Sequence, residues 1–279
     1  MSLWYALWDF LPFDPFHWRF MQHALLAVLI IAPLLGLTST MVVTGRMSFF
    51  SDALGHSAFT GIAIGAIFGI FNPTLVSVGF SVLFALLFSY IRYKSNQTAD
   101  TLIGVFSSTA VALGIFVATL NGGSFTKYNK YLIGDILSVT PGEIGVLLLV
   151  LVSVTVLWLV FSNRLTLSVI YPQLASSRGI RVNLMQTIFT VAIAIVVTLS
   201  ISRVGLLILN SLLVLPGATS RNIAKNAKQY HLFSILFALA SGIGGLCASF
   251  YLGTSAGAAI SLVLTLFFAV SFLFRKVRS

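Results

Sequence analysis

At 279 residues, with 58% hydrophobic and only 8% charged residues and a mean hydropathy of +1.03, the chain lies far from a soluble globular domain, where about a quarter of residues are charged. The net charge of +10 does not point to nucleic acid, because the lysines and arginines come in small groups between apolar runs and form no basic stripe. The composition is that of an all-α, polytopic membrane helical bundle. It lacks the GxxxxGK, HExxH and GxSxG motifs of a nucleotide site or a soluble catalytic domain.

The chain opens on WYALWDFLPFDPFHW, where Trp4, Trp8, Asp9 and Asp14 stand in place of the basic start and apolar core of a cleavable signal peptide. Residues 1–19 are expected to lie at the membrane interface, since aromatic rings suit the headgroup level and Pro12 and Pro15 disfavour a crossing. His17 and His23 fall at this boundary and are assigned no role. Beyond it, apolar runs of about 20 residues predict crossings near 20–44, 54–71, 74–92, 101–120, 143–162, 182–201, 204–219, 232–252 and 255–274. The seventh is the weakest, because Pro216 and Gly217 are placed to end it inside the protein, so eight crossings plus a partial helix fit equally. All of residues 1–279 is expected to form a single transmembrane domain.

The stretch Met47–Gly69 is the exception among these runs. Asp52 and His56 are four residues apart, about 40° apart on one helical face and one turn above one another. Thr60 continues that row. Beside it, Ala53, Ser57, Gly61, Gly65 and Gly69 form a row of small residues that lets another helix backbone approach closely. A carboxylate and an imidazole one turn apart can share a divalent cation, and this donor pair suits manganese, zinc or ferrous iron better than magnesium or calcium. Two donors do not fill a coordination sphere, but a symmetric pair of chains would bring two aspartates and two histidines to one axis. Capping by Ser51 and Asp52 is the competing reading. It explains Asp52 but not His56, and ionisable groups within membrane segments are expensive.

Asp100 is expected to cap the fourth crossing or to pair with Arg92 or Lys94. The outer connection 121–142 contains Asp135, which suits either a cation-attracting vestibule and partner contact or a turn cap. The inner connection 163–181 reads NRLTLSVIYPQLASSRGIR. Pro172 can start and Gly179 can end a short helix along the membrane, which could dock a cytoplasmic partner or be an ordinary solvated loop. The basic segment around Arg221, Lys225, Lys228 and His231 is explained by attraction to lipid headgroups. Cys247, the single cysteine, lies in an apolar run and reads as packing. Gly242, Gly244, Gly245, Gly253 and Gly257 suggest close packing of the last two crossings. Twelve of the 16 lysines and arginines fall on one side of this topology, which makes that side and the C-terminus cytoplasmic.

Residues 46–57, from Arg46-Met47-Ser48 through Asp52-Ala53-Leu54-Gly55-His56-Ser57, resemble the D-A-L-x-H signature of the ABC-3 family of membrane permeases. Gly205-Leu206-Leu207 through Leu213-Val214-Leu215-Pro216-Gly217-Ala218-Thr219 is similar to that family's second patterned segment, and Gly134-Asp135-Ile136-Leu137 is similar as well. These are the transmembrane subunits of bacterial ATP-binding-cassette importers for manganese, zinc and ferrous iron, and the resemblance covers nearly the whole chain. It implies a homodimer, or a pair of related chains, in the bacterial inner membrane. It also implies two cytoplasmic ATP-binding subunits, an extracytoplasmic metal-binding protein, and a transported metal with no permanently bound cofactor. It places Asp52 and His56 on the metal path. It puts Pro172, Ala175 and Gly179 on the coupling helix, where the family pattern is D-P-E-x-A-x-x-x-G and this chain has Tyr171 and Gln173 in place of the acids.

The expected mechanism is alternating access without an ATPase site of the chain's own. Because an imidazole must be neutral to coordinate, transport should weaken as pH falls. A proton-coupled secondary transporter using Asp52 and His56 as a relay is the alternative, although the inverted repeats usual in that class are not evident. An intramembrane metalloprotease ranks below both, since one Asp–His pair per chain offers no separate base.

Overall fold

The computed structural model describes residues 14–67, 72–95, 97–120 and 135–274. Among these residues the regular elements are all helical. Ten α-helices follow one another: α1 (Arg19–Thr44), α2 (Phe50–Ile67), α3 (Pro73–Lys94), α4 (Ala99–Thr119), α5 (Pro141–Ile170), α6 (Pro172–Ser177), α7 (Val182–Val204), α8 (Leu206–Ile223), α9 (Ala227–Leu252) and α10 (Ala256–Leu273). Short 3-10 turns occupy Asp14–His17 and Ile136–Ser138. Of the interfacial segment expected over 1–19, residues 1–13 lie outside the described residues. The turn that follows is tied down by a bond from Gln22 Nε2 to the Phe16 carbonyl at 2.8 Å. Gly69 and Gly134 also lie outside the described residues, as do five of the lysines and arginines counted for the topology, Lys127, Lys130, Arg275, Lys276 and Arg278.

Eight of these helices are long and apolar enough to cross a membrane: α1, α3, α4, α5, α7, α8, α9 and α10. The helix carrying Asp52 and His56, α2, is not among them. It has the length, but its polar side chains and glycines dilute its hydropathy, and most of its surface is buried by protein.

Three boundaries differ from expectation. The second crossing starts at Phe50, so Asp52 lies inside the first turn and not ahead of the helix. The fifth continues to Ile170, since LTLSVI contains no helix breaker and only Tyr171 ahead of Pro172 leaves helical geometry. The inner connection therefore begins at 171, not at 163. The seventh is not broken at Pro216. That proline sits inside α8, and Ser39 Oγ of α1 accepts the Gly217 N–H at 2.8 Å.

The chain divides into two compact units, one of residues 1–40, 135–152 and 203–279, the other of residues 41–134 and 153–202. In the first, α8, α9 and α10 pack against one another. Of the late glycines, Gly242 lies against Val28, Gly245 against the Ile260 backbone and Gly257 against Ile208, while Gly244 faces open space. His231 is not a loose surface group: its Nδ1 lies 2.8 Å from Thr40 Oγ1, and Tyr230 donates to the Thr40 carbonyl at 3.1 Å.

In the second unit, α2 packs against both α3 and α4. The turn that delivers α2 has Met47 N–H donating to the Val42 carbonyl at 3.0 Å, with Arg46 in left-handed geometry (φ 53°). This is a helix end usually given to glycine. Arg92 Nη1 donates to Met47 Sδ at 3.1 Å. Thr98, not Asp100, caps α4 by accepting the Thr101 N–H, and Asp100 stays exposed in the first turn with no ion pair to Arg92 or Lys94 among the described residues.

Candidate functional site

The small-residue row of α2 behaves as its spacing implies. A Cβ on Gly61 would collide with the Ser77 backbone of α3, and one on Gly65 would press on Val76. Ser77 Oγ donates to the Ala58 carbonyl at 2.8 Å, and Ser57 and Ser81 hydroxyls meet at 3.1 Å. With the helices this close, small polar groups satisfy one another inside an apolar core.

The polar row divides. Thr60 is fully buried and turns towards α4, donating to the Ala110 carbonyl at 2.8 Å as well as to the His56 carbonyl at 3.0 Å. Gly114 of α4 packs beside it. Asp52 and His56 stay on the face that α3 and α4 leave uncovered, with side chains 44% and 27% exposed. Their Oδ2 and Nε2 atoms are 3.6 Å apart. This is the separation of two donors that can turn towards a common cation. Ser51 does not act as a cap: its hydroxyl is buried without a hydrogen-bond partner.

Among the described residues no group of three histidine, cysteine, aspartate or glutamate side chains is placed to hold a metal. The pair offers two potential donor atoms, fewer than a closed four-ligand site uses.

The other expected site residues lie apart from this pair in sequence and have their own local roles. Pro172 is the first residue of α6, Ala175 is its fully buried residue, and Gly179 (φ 74°) follows it. The Ile180 N–H bonds back to the Ala175 carbonyl at 3.0 Å, which closes the end of the helix. Asp135 caps a 3-10 turn, its Oδ1 accepting the Leu137 N–H at 3.0 Å. The tie from Thr60 to Ala110 has no signature in the sequence. The spacing puts Thr60 in line with His56 but says nothing of which neighbour covers it.

Together, the fold and this polar face define a multi-pass helical membrane protein with an acid–imidazole pair on a largely buried helix. The chain belongs to the ABC 3 transport family, whose pattern it matches over residues 17–275. It is 30% identical over 253 residues to the high-affinity zinc uptake system membrane protein ZnuB of Haemophilus influenzae, covering 90% of this chain and 94% of that protein. It is also 30% identical over 258 residues to the manganese import system permease protein ScaB of Streptococcus gordonii, covering 91% of each. Among solved structures it is similar to PsaBC from Streptococcus pneumoniae in complex with Fab, with a TM-score of 0.79, 25% identity and coverage of 98% of this chain and 95% of that one. Nothing in these relationships supports the proton-coupled secondary transporter.

Proposed function

We propose that the chain is the permease subunit of an ATP-binding-cassette importer for a divalent transition metal, and that Asp52 and His56 line the path of the ion. The names of two relatives, one for zinc and one for manganese, support those two metals; ferrous iron has the same donor preferences and stays within the proposal. The observation that carries the reading is the half-buried Asp52–His56 pair, with donor atoms 3.6 Å apart, on a helix whose other faces pack against α3 and α4. Two copies of the chain would supply two such pairs to one ion, and alternating access would release it. An extracytoplasmic binding protein would deliver the metal, with Asp135 at the outer vestibule. The chain would sit in the inner membrane with its C-terminus inside, and energy would enter from cytoplasmic ATP-binding subunits seated on α6 around Pro172, Ala175 and Gly179.

Uptake of manganese and zinc by reconstituted Asp52→Ala and His56→Ala variants tests this. Both are expected to lose most transport. His56→Ala should suppress zinc more and Asp52→Ala manganese more, following the affinity of zinc for imidazole and of manganese for carboxylate. Wild-type transport in both variants would remove the pair from the path.

A further inference from the structure

Arg164 near the end of α5, Arg178 after α6 and Arg181 ahead of α7 line one open cavity of about 610 Å³, together with Gly179, Leu184 and Met185. All three arginines are exposed, and among the described residues none of their guanidinium groups has a hydrogen bond or an ion pair. No acid lines the cavity, and the sequence after Glu143 holds none. Glu143 itself is engaged by Thr140 and Arg203. The start of α7 adds to the positive potential, because its first turn holds no acid and the first N–H groups of a helix carry partial positive charge. Three like charges around one cavity repel one another until an anion arrives from outside the chain.

We propose that this cavity receives carboxylate side chains of the cytoplasmic ATP-binding subunit, so that the partner's docking surface is acidic. The inference rests on the reading of α6 as the docking helix. The wall of the cavity is the run 178–181, which continues directly from α6, whose Gln173, Ser176 and Ser177 are exposed. A protein seated on α6 therefore covers the arginines as well. Since neither α6 nor its flanks carry an acid, the charge complement has to come from the partner.

The test uses the full-length permease in nanodiscs and the ATP-binding subunit with which it reconstitutes uptake, with affinity measured across a salt series. The triple variant Arg164→Gln, Arg178→Gln, Arg181→Gln is expected to bind about tenfold more weakly and with a flatter salt dependence. The triple lysine variant should retain most of the affinity, which separates charge from folding. Wild-type affinity and salt slope in the glutamine variant would overturn the inference. So would a glutamine variant that loses only co-purifying anionic phospholipid, which would make the cavity a headgroup site. If a bulky substitution on the exposed face of α6, Ser176→Trp, leaves the affinity at the wild-type value, the docking reading of α6 falls and this inference with it.

Discussion

Ser39 of α1 bonds to the backbone of α8 on both sides of Pro216, at Val214 and at Gly217. Its Oγ accepts the Gly217 N–H at 2.8 Å and donates to the Val214 carbonyl at 3.3 Å. Pro216 has no N–H and its ring crowds the preceding turn, and a hydroxyl from a neighbouring helix adds bonds to the backbone beside it, as is usual where proline interrupts a membrane helix. The approach depends on glycine: a Cβ at 217 would stand 2.6 Å from Ser39 Oγ and 2.7 Å from Ser39 O.

Ser39→Ala should therefore leave a buried N–H unpaired and cost about 1–3 kcal/mol. Gly217→Ala should cost a similar amount, about 1–3 kcal/mol, by overpacking. Thermal unfolding in detergent measures both. Because the two residues share one contact, the double variant should be less destabilised than the sum of the singles. Additive losses would mean that the two sites act independently.

Gly61 and Gly79 make a matched pair of tests. Gly61 lies where a Cβ meets the Ser77 backbone, which cannot swing aside, whereas a Cβ on Gly79 meets nothing within 4 Å. Gly61→Ala should force α2 and α3 apart, cost about 1–3 kcal/mol and reduce uptake by displacing the face that bears Asp52 and His56. Gly79→Ala should be neutral or stabilising by up to about 1 kcal/mol, since alanine is the better helix former. Equal melting temperatures for the two variants would show that the α2–α3 approach is not tight.

Gly179 is a conformational requirement, not a packing one. Its φ of 74° is reached by few other residues, yet its would-be Cβ faces open space. Gly179→Val should strain the end of α6 by about 1–3 kcal/mol, while Gly179→Asn should be milder because asparagine tolerates left-handed geometry. Under the proposed coupling, stimulation of the partner's ATPase activity by the permease should fall strongly in the valine variant and be largely retained in the asparagine variant. Equal stimulation in both would show that this backbone geometry does not matter to coupling.

Several features follow from the chain's own chemistry. Apolar runs too long and too uncharged for a soluble core can bond their backbone in lipid only as helices, so the all-α membrane class and the approximate crossings are legible without coordinates. The four-residue step from Asp52 to His56 needs only the helical period to place both side chains on one face. The short helix between Pro172 and Gly179 follows from proline's fixed φ and glycine's freedom at a helix end.

Other features depend on which neighbour covers which face, and that is a property of tertiary packing. Thr60 lies in register with His56, yet it is buried against Ala110 while His56 is not. Pro216 reads as a break, yet α8 runs through it with Ser39, 177 residues earlier in the numbering (216 − 39), brought alongside to bond the Gly217 N–H. The three arginines read as a topology signal; only the fold gathers them around one cavity without an acid to answer them. Local bonding rules are written along the chain, whereas the partner of each buried polar group is chosen by contacts between segments distant in sequence.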